Sequence, residues 1–92
     1  MVVARDRTHL KTLIREAIRE KGEYCDLNFI DVSRVTDMHR LFAKSKFNGD
    51  ISKWNVPKNT NLLGMFVDSE LERNNKIPKW HEQILFPFRR VK

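Results

Sequence analysis

The chain of 92 residues has 40% hydrophobic and 33% charged residues, which is typical of one small globular domain rather than a disordered segment. Its net charge of +6 and pI of about 9.8 favour acidic partners, whether nucleic acid, a protein face or an anionic membrane. A single cysteine, Cys25, excludes an intrachain disulfide and is expected to be a small buried residue. No stretch resembles a signal peptide or a membrane span, so we expect a cytoplasmic protein.

The first predicted element is an amphipathic helix over residues 8–21. Asp6 or Thr8 can cap its start, and Gly22 lies just past its end. One apolar stripe is formed by Leu10, Leu13, Ile14, Ala17 and Ile18. The opposite face places like charges four residues apart, so the helix must gain its stability by docking as a cap. Because that face carries both signs of charge, a membrane-surface helix is the less favoured alternative.

Residues 27–80 repeat themselves at an offset of 24 residues. Four pairs are identical, namely Val32/Val56, Thr36/Thr60, Phe42/Phe66 and Ser45/Ser69, and most other pairs keep their apolar character. A third copy begins at Ile77 and Trp80, which repeat Ile51 and Trp54 at an offset of 26. A period in the low twenties predicts a solenoid, whose units bury their apolar faces only by stacking.

Each repeated unit has a strand part and a helix part. The strand part carries inward residues at Leu27, Ile30 and Val32 and again at Ile51, Trp54 and Val56. The helix part is predicted to begin at the N-caps Thr36 and Thr60 and to place Met38, Leu41 and Phe42, then Leu62, Met65 and Phe66, on one inward face. We therefore expect an α+β fold, a short leucine-rich-repeat-like strand–helix solenoid at 27–80. The helix at 8–21 would cap one end and residues 81–92 the other, with a basic tail, in a single domain over 1–92.

The segment FIDVSRVTDMHRLFAKSKFNGDISKWNVPKNTNLLGMF resembles the bacterial BspA-like leucine-rich-repeat family, with its pattern D-I-S-x-W-D-V-S-x-V-T-x-M-x-x-M-F. The resemblance covers roughly residues 27–80, as two units and a partial third. It implies a right-handed strand–helix solenoid that binds other molecules rather than catalysing a reaction.

Catalytic and metal-binding motifs are absent from the sequence. His9, His39 and His81 fall in three different predicted elements, without cysteine or carboxylate at ligand spacing. There is no glycine-rich phosphate loop, nucleophile elbow or paired acidic motif. The sequence therefore predicts no enzyme, no metal and no cofactor.

Binding residues are expected on the outward positions of the predicted strands. Equivalent positions of stacked strands lie ~5 Å apart, so Phe29, Lys53 and Lys79 would form one row. Arg34 and Lys58 would form a second basic row at the strand-to-helix turn. The predicted partner-binding residues are Phe29, Arg34, Lys53, Asn55, Lys58, Lys79 and His81. Ordinary solvated charge is the alternative interpretation of these rows.

The first functional hypothesis is a non-enzymatic protein-binding module of bacterial or phage origin with an acidic protein surface as partner. A narrower form of it, drawn from size and missing chemistry, is a small inhibitor of the anti-CRISPR type. The second hypothesis is direct nucleic-acid binding through the basic rows, against which stand interleaved acidic residues such as Asp31 and Asp50. The third is self-association through exposed ends, including the apolar segment Ile84, Leu85, Phe86 and Phe88.

Overall fold

A computed structural model describes residues 1–83 as a small fold with three helices and a two-stranded parallel sheet. The elements in chain order are β1 (Val2–Val3), α1 (Arg7–Lys21), β2 (Ile30–Asp31), α2 (Glu70–Arg73) and α3 (Trp80–Gln83). Most of the chain between β2 and α2 consists of turns. The predictions for residues 84–92, both the end of the C-terminal cap and the self-associating apolar segment, lie outside the described residues.

The N-terminal helix is confirmed, beginning one residue earlier than expected. The Asp6 carboxylate accepts a hydrogen bond from the His9 N–H at 2.8 Å, which satisfies one of the unpaired donors of the first turn. At the other end Gly22 has a φ of 91° and donates its N–H to the Ile18 carbonyl. The predicted stripe faces inward, with Leu10, Ile14 and Ala17 buried and Leu13 and Ile18 packed against the core.

Strand β1 was not predicted. Its two valines pair in parallel with β2, Val2 opposite Ile30 and Val3 opposite Asp31. The N–H groups of Val2 and Ala4 donate to the carbonyls of Phe29 and Asp31, each at 3.0 Å. Ala4 is fully buried and belongs to the core, whereas Val2 and Val3 stay exposed, and two valines alone carry no periodic signal.

Two sets of parallel backbone hydrogen bonds hold residues 23–45 against residues 48–70. In the first set, here called the proximal ladder, the N–H groups of Asn48 and Asp50 donate to Glu23 and Cys25, and Leu27 N–H donates to the Asp50 carbonyl. In the second, the distal ladder, every second N–H donates across: Met38 to Asn61, Arg40 to Leu63, Phe42 to Met65 and Lys44 to Val67. The 24-residue offset of the sequence is therefore the register of these bonds.

The two short helices predicted after Thr36 and Thr60 are wrong. The chain there makes consecutive turns, in which Leu41 N–H donates to Met38, Ala43 N–H to Arg40 and Ser45 N–H to Phe42. Positive φ angles recur at Arg40, Lys44, Gly64 and Asp68, and a right-handed helix cannot pass through such residues. The Thr60 hydroxyl is not an N-cap acceptor, since it donates to the Pro57 carbonyl at 2.7 Å.

The predicted strand–helix solenoid is consequently wrong. Among residues 1–83 the sheet has only two strands of two residues each, and neither predicted strand at Ile51–Val56 nor a third at Ile77–Trp80 is formed. The physical reason is local: alternate N–H groups donate to the carbonyl three residues earlier, and the positive φ angles recur every four residues, so the chain can be neither a regular helix nor an extended strand. Three helices and one short parallel pair remain.

A stack of aromatic rings fills the core between the ladders. Phe42 lies 5.8 Å from Phe66 with parallel planes, 5.2 Å from Phe47 and 6.0 Å from Trp54, measured between ring centroids. Trp54 is 4% exposed and is the largest buried side chain of the described residues. Trp80 stacks on it at 6.3 Å and stays half-buried. Cys25 is buried as predicted, and burial raises the pKa of its thiol.

Candidate functional site

Exposed aspartates set the backbone of the predicted binding segments. Asp31 accepts from the Ser33 N–H at 2.9 Å, and Asp50 accepts from the Ser52 N–H at 2.8 Å, each two residues ahead. The Ser52 N–H, followed by its hydroxyl and the Asn28 side chain, lowers the pKa of Asp50 to about 2. The Ser33 N–H likewise lowers the pKa of Asp31. These carboxylates are thus committed to local turns while remaining charged.

Five of the seven predicted site residues are exposed. They are Arg34, Lys53, Asn55, Lys58 and Lys79. Lys53 is the best anchored, because its N–H donates to the Asn28 Oδ1 atom at 2.8 Å, across the proximal ladder. Two of these bases lie close to aspartates. Arg34 contributes to lowering the pKa of Asp31, and Lys53 contributes to lowering the pKa of Asp50. The surface is therefore mixed in charge.

Phe29 and His81 sit differently from the other five. Phe29 is half-buried against the core, and the Lys21 Nζ atom of α1 lies over its ring, 5.2 Å from the centroid. His81 packs edge-on against Phe66, with the ring centroids 5.1 Å apart, and burial lowers its pKa. Lys21, which sequence reasoning did not include, is the cation that the structure places on Phe29.

One concavity of the described residues was not anticipated from the sequence. It is an open groove of about 510 Å³ between residues 48–52 and residues 76–80, here called the third segment, which contributes Lys76 and Pro78 to its wall. Tyr24, 77% exposed, stands at its edge. The signal that could have found it is Pro78, which has no N–H with which to continue the proximal ladder.

Metal ligands are not grouped anywhere in the described part of the chain, where no cluster of three histidine, cysteine or acidic side chains occurs. His39 is paired through Nδ1 with Asp37 at 2.7 Å, and the His9 Nδ1 atom accepts the Arg5 N–H. Within residues 1–83 no helix has both the length and the apolar character needed to span a bilayer.

The fold defines a small globular protein of three helices, one short parallel strand pair and paired turns, with exposed charges of both signs. The chain belongs to the family described as "Mycoplasma protein of unknown function, DUF285", whose model matches residues 8–87. That match covers most of the chain and is loosely consistent with the BspA-like resemblance. No curated protein and no solved structure is significantly similar to the chain.

Proposed function

We propose that this protein is a non-enzymatic binding module whose partner is a protein with an acidic surface. The observation that carries the proposal is that the acidic side chains are used in local hydrogen bonds while the basic side chains are exposed. Asp31 and Asp50 accept local backbone N–H groups, whereas the side chains of Arg34, Lys53, Lys58 and Lys79 are exposed to solvent. A partner carboxylate can therefore reach the bases without displacing any bond that holds the fold.

Anchoring of the backbone supports the same proposal. The Lys53 N–H is fixed by Asn28, and the neighbouring Trp54 is fixed by its buried indole. A lysine on a rigid backbone loses less conformational freedom when it binds than one on a mobile loop. The BspA-like resemblance, a family associated with binding, points in the same direction.

The test is a double charge reversal, Lys53→Glu with Lys79→Glu, compared with Lys11→Glu with Arg15→Glu on α1. The three proteins are immobilised, and enrichment from a bacterial lysate is measured by quantitative mass spectrometry. Proteins captured by the wild type should fall about tenfold or more with the first variant, because like charges facing an acidic partner cost several kcal/mol. Equal loss with the helix variant, or capture of nothing by the wild type, would contradict the proposal.

Direct nucleic-acid binding is the second candidate, and the net charge of +6 favours it. A labelled 20-base-pair DNA duplex and a 20-nucleotide RNA can be titrated with the protein at low salt and again at physiological salt. Phosphate contacts should weaken steeply as salt rises. The mixed charges around Lys53 and Arg34 lead us to expect weaker binding than a purely basic face would give. The narrower hypothesis of an anti-CRISPR-type inhibitor stays a prediction from chain size.

A further inference from the structure

The proximal ladder ends with unused backbone groups. Cys25 accepts the Asp50 N–H, and Leu27 donates its N–H to the Asp50 carbonyl. The residues 24 positions later are Gly49 and Ile51, and among residues 1–83 nothing donates to the Gly49 carbonyl or accepts from the Ile51 N–H. Both residues line the groove described above. One acceptor and one donor are thus presented in the register that a further parallel strand would use.

The chain's own third segment does not use these groups. Lys76 donates its N–H to the Leu71 carbonyl at 2.8 Å, and Pro78 has no N–H. The segment is instead bonded to residues 48–52 by a side chain, because the Trp80 indole N–H donates to the Ile51 carbonyl at 2.9 Å. The groove of about 510 Å³ is left between the two segments.

A third unsatisfied group belongs to Asn48, one of the residues that line the groove. The Asn48 Oδ1 atom is buried and accepts no hydrogen bond within the described part of the chain. Asn48 lines the groove, and its own N–H is held by the Glu23 carbonyl. A buried acceptor without a donor is costly, so the groove is suited to a ligand that brings N–H groups.

The charged and aromatic residues of the groove limit further which class of ligand it can bind. Among residues 1–83 Lys76 is the one cation that lines the groove, and it is exposed. The one carboxylate that the described residues place along the groove, that of Asp50, already accepts the Ser52 N–H. Tyr24 adds a broad apolar surface with a polar tip at the rim. A backbone with N–H donors, an apolar side chain and a carboxylate would meet all of these groups.

We propose that this groove binds an extended acidic peptide of a partner protein, added as a parallel strand beside residues 49–51. The inference rests on the protein-binding function proposed above and gives that function a second contact surface. Its N–H groups would donate to the Gly49 carbonyl and Asn48 Oδ1, and one of its carbonyls would accept the Ile51 N–H. One side chain would lie on Tyr24, and a carboxylate would pair with Lys76. Main-chain bonds of this kind supply affinity, and the side-chain contacts supply specificity.

The experiment uses the full chain, labelled with ¹⁵N, and three capped hexapeptides. The first alternates Glu and Val, the second alternates Lys and Val, and the third is the Glu–Val peptide with N-methylated backbone. The acidic peptide should shift the amide signals of Gly49, Ile51 and Ser52 in a saturable way at millimolar concentration. The Lys–Val peptide should bind at least about tenfold more weakly, and the N-methylated peptide should leave these signals unchanged.

Two variants keep the result specific to the groove. Tyr24→Ala and Lys76→Glu alter exposed side chains and should each weaken the acidic peptide about tenfold, whereas the control Lys11→Glu on α1 should not. Absence of saturable shifts with the acidic peptide, or equal shifts with the N-methylated one, would overturn the groove proposal. Those outcomes leave the lysate comparison of the Lys53 and Lys79 variant intact, so the two proposals can fail separately.

Discussion

Trp54 donates its indole N–H to the carbonyl oxygen of Leu27 across 2.8 Å, inside the core. Trp80 makes the corresponding bond to the carbonyl of Ile51, the residue 24 positions after Leu27. Each tryptophan therefore joins its own segment to the preceding one by a side-chain hydrogen bond, buried for Trp54 and part-buried for Trp80, in addition to the stacking of the two rings. Because Trp54 is buried and Trp80 is half-buried, the two bonds should contribute unequally.

Trp54→Phe should separate the hydrogen bond from the packing. The phenyl ring keeps much of the aromatic stack but removes the donor, so we expect a loss of about 1–3 kcal/mol. Trp54→Ala should cost about 3–5 kcal/mol, comparable with the whole stability of a domain this small. Urea unfolding followed by circular dichroism measures both, and Trp80→Phe, at a half-buried position, should cost less. A near-native midpoint for Trp54→Ala would contradict the role of this ring.

Gly49→Ala should disrupt the proximal ladder. A Cβ atom at this position would overlap the Cys25 carbonyl oxygen, which accepts the Asp50 N–H, and would lie 2.7 Å from the Phe47 ring. The backbone must separate to admit the methyl group, so we expect a loss of several kcal/mol, or failure to fold.

The matched control is Gly22→Ala, where a Cβ atom meets nothing within 4 Å and the cost comes from the backbone conformation alone, about 1–3 kcal/mol for a φ of 91° with a ψ of 174°. Thermal unfolding of the two variants distinguishes these mechanisms. Equal midpoints would show that the approach of Gly49 to Cys25 is not needed.

Arg7→Met should loosen α1 from the turns. The Arg7 guanidinium donates from Nε and Nη2 to the His39 carbonyl, at 3.1 and 2.7 Å, and links the start of α1 to the distal ladder. Methionine keeps the aliphatic contact but no donor, so we expect a loss of about 1.5–3 kcal/mol for a charged hydrogen bond. Arg5→Met, at an exposed position, should change stability by no more than about 0.5 kcal/mol. Hydrogen exchange of α1 amides should rise only for Arg7→Met.

Acid should weaken the docking of α3. Burial against Phe66 lowers the pKa of His81 in the folded protein, only partly offset by Glu82, and Glu72 lies along the same cleft. The stability that neutral, packed His81 contributes is therefore fully present above the ordinary histidine pKa of about 6.5. Below that pH the unfolded chain takes up the proton first, so stability should fall as pH falls from 6.5 toward the folded pKa.

The measurement is the unfolding midpoint of the wild type and of His81→Gln between pH 7.5 and 5. The variant should show a shallower slope in this window, because it has no imidazole to protonate. Parallel curves for the two proteins would contradict the assignment.

The sequence by itself determined the local and periodic features of this protein. The apolar stripe from Leu10 to Ile18 and the caps Asp6 and Gly22 specify α1, because these signals lie within one element. The offset of 24 residues, with pairs such as Phe42 and Phe66, determined which residues would lie side by side. Exposure of Lys53 and Lys79 followed from their positions between apolar neighbours.

Only the tertiary structure decided the conformation between those points. Apolar residues spaced i, i+3 and i+4 suit a short helix and a run of turns equally. The turns form here because the N–H groups of Met38, Arg40 and Phe42 donate to carbonyls of the facing segment. The pairing of Val2 with Ile30 depends on the chain returning past β2, which two valines cannot signal. The groove at Gly49 likewise exists because the distant Lys76 and Pro78 leave the proximal ladder unpaired, a non-local consequence of where hydrogen bonds are satisfied.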